Sequence, residues 1–534
     1  MNSRRPATAK REKELEDLPV EKNADYVTDI VGITHDGEGV GRVEGYTLFI
    51  QGALPGEKVL AKVVKLKKQY GYGKLLQVIE PGKGRIEPSC PIFKECGGCQ
   101  LQHFDYAEQL VWKRQMVVDN LTRIGKLHVA GAALAQQGGD GERVSAGGSQ
   151  ADEPASGTGA VREGGAAAAA GEAAAVAGAA GAGGAGQGRG DGAVVVHPTI
   201  GMHEPWRYRN KAQVPIGTAP GGGLAGGFYA RGSHRIVDMD ACLIQHEKTD
   251  EVVRRVKEIG RKLGISAYDE ETGNGLLRHV VVKVSFRTGE IMVVLVTNGA
   301  KIPRVNEWID EIRKHIDGVA SICHNINTAR TNVIFGDITK TLWGSDVIYD
   351  YIGDVKFAIS ARSFYQVNPV QTEVLYRKTV EYAGLTGGET VIDAYCGIGT
   401  ISLFLAQHAK RVYGVEIVKE AIDDARKNAE LNGLANVEFA VGASEEVIPR
   451  WKEQGIVPDV IVVDPPRKGC DPTLIDTIIA MRPRRVVYVS CNPSTLARDL
   501  RLLEDGGYRT VEVQPVDMFP HTVHVECCVS LIRK

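Results

Sequence analysis

The last third of the chain repeats one pattern of polarity. A short apolar run is followed by a polar or glycine-bearing turn, then by apolar residues at helical spacing. TVIDAYCGIGTISLFLAQ, RVYGVEIV, VEFAVGA, DVIVVDPP and RVVYVSC are five such runs between Thr390 and Cys491, with helical stretches such as KEAIDDARKNAELNG between them. Runs that are apolar throughout predict strands buried on both faces, hence a parallel sheet with ligands at the carboxyl ends of its strands. A doubly wound, Rossmann-like domain is therefore expected over residues 356–534. Residues 25–84 read differently: YTLFIQGALPGEKVLAKVVKLKKQYGYGKLLQVIE alternates apolar with polar and is broken by Gly and Pro, which suits a small five-strand, OB-like β-barrel. A central α+β region is expected over 85–130 and 193–355, with one helix over 106–124 that packs on the C-terminal domain. Residues 1–24 read as a charged, disordered tail, and 131–192 are mostly Ala and Gly. Each glycine there costs a helix about 1 kcal/mol relative to Ala, and nothing large is available for burial. A disordered insertion is expected.

Composition adds exclusions. Net charge is −2, so a nucleic-acid partner has to be met by a local basic patch. Lys62, Lys65, Lys67, Lys68 and Lys74 around Tyr70 and Tyr72 offer one, with phosphate attraction and stacking faces together. The same lysines would also suit a solvated edge that blocks strand pairing. No apolar run is long enough for a membrane span, and MNSRRPATAKREKELEDLPVEK lacks the apolar core of a signal peptide. A cytoplasmic, reducing location is expected. Ten cysteines there are better metal ligands, nucleophiles or core residues than disulfides.

The chemistry concentrates at strand ends. In VIDAYCGIGTISL a strand delivers Asp393, a glycine turn lets backbone approach a ligand, and a helix starts near Thr400. Glu416 closes the next strand, placed to accept from two ribose hydroxyls. A nicotinamide cofactor would fit that much. However, Gly397-x-Gly399 is followed by Ser402 where a dinucleotide fingerprint has its third glycine, and Asp464-Pro465-Pro466 has no evident use in hydride transfer. A stiff Asp-Pro-Pro suits a planar ring, which favours S-adenosylmethionine and a base or amide substrate. Cys491 ends the following strand. A thiolate adding to carbon-6 of uracil would make carbon-5 nucleophilic enough to take a methyl group, and a base must then remove the carbon-5 proton. Glu526, after His521 and His524, is the candidate base. Amino-nitrogen methylation commonly shows Asn-Pro-Pro-aromatic, and cytosine carbon-5 methylation of RNA places a cysteine where this chain has Arg467.

SCNPSTLARDL, DPPRKG, DMFPHTVHVE and SFYQVNPVQ resemble the RNA uracil-carbon-5 methyltransferases, specifically the RumA-type enzymes of 23S ribosomal RNA. The resemblance covers the chain apart from the tail and the insertion. It implies that Cys491 is the nucleophile and Glu526 the base, and that Gln366, Tyr395, Glu416 and Asp464 contact S-adenosylmethionine. It also implies that the barrel is a TRAM domain that binds RNA and that the partner is 23S ribosomal RNA, with no obligatory protein partner. A transfer-RNA uridine methyltransferase and a catalytically inactive RNA-binding assembly factor are the alternatives.

Cys90, Cys96 and Cys99 have five and then two residues between them, with Gly97-Gly98 allowing a tight wrap. Such thiols point to a metal, with Cys242 the best fourth ligand. From spacing alone zinc and an iron–sulfur cluster both fit; the resemblance implies a four-iron, four-sulfur cluster. Cys323, Cys470, Cys527 and Cys528 read as packing residues, and Cys396 as backbone fit in the cofactor loop. Arg207, Arg209 and Lys211 of WRYRNKAQ suit either phosphate contacts or a plain surface cluster.

Overall fold

The computed structural model describes residues 18–131 and 192–534, so the expected disorder of the Ala/Gly insertion and of most of the tail lies outside the described residues. Strands β1 (Asp25–Ile33), β2 (Glu38–Val43), β3 (Tyr46–Gln51), β4 (Lys58–Leu66) and β5 (Tyr70–Glu80) close into a barrel in the order β1-β2-β3-β5-β4. Alternation turns Leu48, Ile50, Val59, Ala61 and Val63 inward. Outside, the rings of Phe49, Tyr70 and Tyr72 lie 5.3–5.9 Å apart, with Lys65 Nζ 5.7 Å from the Tyr72 ring. Lys62, by contrast, pairs with Asp25 at 3.3 Å across the β1–β4 seam.

The chain then passes the cysteine loop and enters helix α1 (Tyr106–Arg123), capped by the Asp105 carboxylate. The residues flanking the insertion meet at a closed neck: Val129 and Val194 are bridged, the Val194 N–H donates to the His128 carbonyl at 2.7 Å, and both valines are buried. A two-residue strand, β6 (Val195–Val196), follows.

The central sheet contains β7 (Lys211–Thr218), β8 (Leu224–Tyr229), β9 (Ile236–Asp238), β10 (Leu277–Val284), β11 (Ile291–Thr297), β12 (Val319–Ile326) and β13 (Ile338–Gly344), in the order β13-β12-β11-β10-β7-β8-β9. Helices α2 (Glu247–Lys262) and α3 (Val305–His315) cover one face, where Val252, Val256, Trp308 and Ile312 pack. Val281, Met292, Val294 and Val296 on the other face share a core with the C-terminal domain. That explains why β10 and β11 are apolar on both sides. A hairpin, β14 (Val347–Ile352) and β15 (Val355–Ser360), leads on to α4 (Pro369–Ala383).

The C-terminal sheet contains β16 (Thr390–Ala394), β17 (Arg411–Glu416), β18 (Val437–Val441), β19 (Val460–Val463), β20 (Arg485–Ser490), β21 (Tyr508–Val516) and β22 (Glu526–Arg533), in the order β18-β17-β16-β19-β20-β22-β21-β6. The first five strands are parallel, and the order reverses between β16 and β19, where a doubly wound sheet opens its crevice. β22 inserts antiparallel between β20 and β21. β6 extends the far edge, so residues just after the insertion join this sheet although the composition groups them with the central region. The intervening helices are α5 (Thr400–Ala406), α6 (Lys419–Leu431), α7 (Ser444–Glu453), α8 (Pro472–Met481) and α9 (Pro493–Asp505). Helix α1 lies against α9, β21 and β6. It is fastened by an ion pair between Lys113 and Asp517, 2.6 Å long with both side chains 0% exposed.

Candidate active site

The cofactor loop is shaped by backbone that turns left-handed. Tyr395, Gly397 and Gly399 have φ of 65°, 55° and 83°, which reverses the chain between β16 and α5. A Cβ on Gly399 would stand 3.0 Å from the Phe439 ring and 3.2 Å from Ala425, so glycine is required there on both counts. Glu416, at the end of β17, accepts from the Gly397 N–H at 3.3 Å and the Val418 N–H at 3.1 Å, which fixes its carboxylate against this loop. Asp393 is fully buried below it and accepts from the Ser402 hydroxyl at 2.5 Å, while its other oxygen has no partner. Burial pushes the Asp393 carboxyl up to about 7. Ser402 thus has a task where a dinucleotide fingerprint needs glycine.

The thiol and the expected base meet through strand register. Ser490 of β20 pairs with Cys527 of β22, so the next antiparallel step sets Cys491 opposite Glu526. Pro493 ends the strand and opens α9, and the Asn492 side chain caps that helix by accepting from the Ser494 N–H at 3.0 Å. The Asn492 amide also donates to the Arg467 carbonyl at 3.1 Å, as does the Thr495 hydroxyl, while Arg498 donates to the Lys468 carbonyl at 2.9 Å. The buried Asp499 accepts from the Cys470 N–H at 2.8 Å and from the Tyr488 hydroxyl at 2.6 Å. One helix therefore holds the Asp-Pro-Pro-Arg loop against the thiol.

Gln366, Tyr395, Glu416, Asp464, Cys491 and Glu526 all line one cavity of about 1090 Å³. Around Cys491 its electrostatics are set by buried carboxyls and by the Arg467 guanidinium. Burial, then the neighbouring Glu526 and Asp464, pushes the Cys491 thiol up to about 11, and Arg467 opposes them. Burial, then Asp464, holds Glu526 well above the usual carboxylate range, again opposed by Arg467. Desolvation raises Asp464 to about 7. His524 on the same wall is held down to about 4 by burial and by Arg467, so its imidazole is neutral at physiological pH. His521 lies elsewhere: it stacks on Trp206 at 3.8 Å and is held through its Nδ1 and its backbone N–H by Gln109 of α1.

Cys90, Cys96, Cys99 and Cys242 line a second cavity of about 440 Å³. The Gly98 N–H points at the Cys96 sulfur at 3.3 Å, and Arg231 donates to the carbonyls of Phe93, Cys96 and Cys99 at 2.8–3.2 Å, which folds the loop around that space. The expected ligand set is nevertheless not drawn together. Among the described residues no group of three or more His, Cys, Asp or Glu side chains is arranged to hold a metal ion. The four cysteines share one lined space, in which burial raises Cys99 to about 12 and Cys242 to about 11. Arg467, Phe519 and His524 line both cavities, a sharing that the sequence does not announce. Arg467 had one available signal, its place directly after Asp-Pro-Pro. Cys527 and Cys528 are fully buried in β22, and Cys323, Cys396 and Cys470 are buried too.

Residues 353–534 match the model of the tRNA (uracil-5-)-methyltransferase family, and residues 27–76 match the TRAM domain. An uncharacterized RNA methyltransferase of Halalkalibacterium halodurans is 56% identical over 97% of this chain and 98% of its own. The chain belongs to the RNA uracil-5-methyltransferase family. A second such relative of this methyltransferase, from Listeria innocua, is 48% identical over 96% of this chain and 99% of its own. Among solved structures the enzyme is similar to a Pyrococcus abyssi tRNA (uracil-54, C5)-methyltransferase in complex with S-adenosyl-L-homocysteine. That likeness has 27% identity and a TM-score of 0.67, and it covers 95% of this chain and 100% of that one. The methyltransferase has no helix among its described residues long and apolar enough to cross a membrane.

Proposed function

We propose that this methyltransferase transfers a methyl group from S-adenosylmethionine to carbon-5 of a specific uridine in 23S ribosomal RNA, through an adduct between Cys491 and carbon-6 of the base. The observation that carries this reading is that Cys491 and Glu526, one step beyond the Ser490–Cys527 pair of β20 and β22, line the cavity that the cofactor loop also lines. Glu416, fixed by two backbone N–H groups, would hold the ribose, and Gln366, Tyr395 and Asp464 would enclose the rest of the cofactor. Bound S-adenosylmethionine supplies an electrophilic methyl group. Cys491, once ionised, would add to carbon-6 and raise the electron density at carbon-5, which would take the methyl group and leave S-adenosylhomocysteine. Glu526 then takes the carbon-5 proton, and the thiolate leaves. A buried carboxylate whose affinity for protons is raised is a strong base for that step, and Arg467 stabilises the negative charge on either group.

We propose further that Cys90, Cys96, Cys99 and Cys242, which line one cavity, close on a four-iron, four-sulfur cluster with a structural or RNA-positioning role. A single zinc ion would draw all four sulfurs to about 2.3 Å of one centre, whereas a cluster would hold them further apart within the cavity of about 440 Å³. Iron and sulfide analysis of anaerobically purified enzyme checks this, and stoichiometric zinc would overturn it.

RNA carrying 5-fluorouridine tests the main reading. Wild type with cofactor should form a covalent adduct, Cys491→Ala should form none, and Glu526→Gln should accumulate a methylated adduct with natural RNA. Trapping by Cys491→Ala at the wild-type level would refute the nucleophile assignment. The likeness to a tRNA (uracil-54, C5)-methyltransferase favours one second reading, a transfer-RNA uridine as the target. Tritium release from carbon-5-labelled uridine in each RNA separates the two.

A further inference from the structure

The three cations of WRYRNKAQ have different surroundings. Arg207 is committed to the fold: it pairs with Asp250 at 2.5 Å and donates to the carbonyls of Cys242 and Gln245 at 2.9 and 3.1 Å. Arg209 lines the cysteine cavity, and its Nε reaches the Gln245 amide oxygen at 3.2 Å in that amide's hydrogen-bonding orientation. Lys211 forms no ion pair among the described residues. Its partner directly across the β7–β10 ladder is another cation, Lys283. Like charges facing each other in an antiparallel pair oppose sheet formation unless something compensates.

Lys283 cannot be the group that meets a ligand. It is 4% exposed, and its ammonium donates to the carbonyls of Ser360 and Ser363 at 2.6 and 2.9 Å. The carboxylate that acts on it, Asp424, accepts from the Ser363 hydroxyl at 2.8 Å. Burial, then Lys211, brings the Lys283 ammonium down to about 7, so the repulsion across the ladder is relieved from the Lys283 side and Lys211 keeps the charge. Burial, then Arg209, holds the Lys211 ammonium down to about 8, the mark of a cation without an anion beside it. Lys211 Nζ lies 5.5 Å from the ring centre of Phe364, which is 64% exposed and lines the active-site cavity. A cation thus stands beside the catalytic cavity, with Arg209 as its charged neighbour and the exposed ring of Phe364 above it.

We infer that Lys211 is a phosphate-binding residue of the RNA site, taking the phosphate of a nucleotide that flanks the target uridine as the strand passes over Phe364. The inference rests on the uridine reading above. RNA supplies one anion per nucleotide, so a strand bent to deliver one base into the cavity brings a flanking phosphate to its rim. The anion would relieve the repulsion between Arg209 and Lys211. Arg207 takes no part.

Binding of a target-site RNA oligonucleotide to the full chain, measured from 50 to 200 mM salt, tests this. Each phosphate contact contributes a salt slope of about 0.7–0.9 in log K against log salt. Lys211→Gln should lose one such increment, so its affinity deficit should narrow about threefold across that range. Lys211→Arg should keep the wild-type slope, and the affinity of Lys211→Gln for cofactor should stay unchanged. A methylphosphonate scan through the same RNA needs only folded wild type. Neutralising one linkage beside the uridine should weaken wild type and cost Lys211→Gln nothing more. An unchanged salt slope in Lys211→Gln, or linkages that all cost both proteins alike, would overturn the assignment. If wild type still traps 5-fluorouridine RNA in that case, this inference falls alone and the uridine reading stands.

Discussion

The Lys113–Asp517 pair allows the sharpest test of how helix α1 supports the catalytic end of the chain. The Lys113 ammonium lies 2.6 Å from Asp517 Oδ1 and 3.2 Å from the Phe519 carbonyl, with no solvent at either side chain. Asp517 Oδ1 also accepts from the Phe519 N–H at 3.2 Å, and its Oδ2 has no partner. Burial outweighs the carboxylate's pull and lowers the proton affinity of Lys113, so the pair is poorly solvated on both sides. Lys113→Met leaves a buried carboxylate without its counter-charge, a change that costs about 3–5 kcal/mol. Lys113→Met with Asp517→Leu removes both charges at similar volume, which is commonly neutral or stabilising. The assay is urea unfolding followed by tryptophan fluorescence, with hydrogen exchange over 106–123 to locate the loss. The single variant should fall by about 3–5 kcal/mol and the double variant should recover most of it. Activity should follow the same order, because Asp517 opens the segment that leads to Glu526. If single and double variants are equally stable, the coupling between the two charges is absent and the argument fails.

Cys491 should alkylate slowly. A rise from 9.0 to about 11 leaves roughly a hundredfold less thiolate at pH 7.5 than an unperturbed thiol has. Reaction with iodoacetamide should therefore climb toward pH 11, and Arg467→Met should slow it further; a midpoint near 8.5 would refute the electrostatics. Asp393 carries a pH signature in stability. Its carboxyl titrates at 3.8 when exposed and at about 7 when folded, so the folded state holds the proton more tightly. Its contribution is present below pH 4 and lost as the pH rises toward 7. Asp393→Asn should accordingly gain on wild type in thermal melts from pH 4 to 7, and a flat difference would refute the shift.

Much of the site is legible because the sequence marks strand ends. Glu416, Asp464 and Cys491 each close an apolar run, and a parallel sheet brings such ends to one crevice, with Asp393 buried beneath the first turn. The barrel is equally legible, since alternation with period two can bury only one face. Glu526 is different. Composition marks it as an acid before a final strand, but its place opposite Cys491 comes from β22 running antiparallel between β20 and β21, a matter of register that polarity does not encode. Long-range pairing also hides the division of labour in WRYRNKAQ, where Asp250 claims Arg207 and Lys283 confronts Lys211. The cysteine spacing brings four thiols to one cavity without gathering them on a point, because spacing constrains chain length and not side-chain direction.

The bridge between Val129 and Val194 makes this chain divisible. A break anywhere between residues 131 and 192 yields two polypeptides that split the four cavity cysteines three to one, with Lys113 in the first and Asp517 in the second. Neither fragment alone can complete the thiol-lined chamber or neutralise its half of the buried ion pair. Co-expressed from separate genes, the halves would recover RNA modification only on finding each other, a ready means of placing it under the control of a dimerising drug.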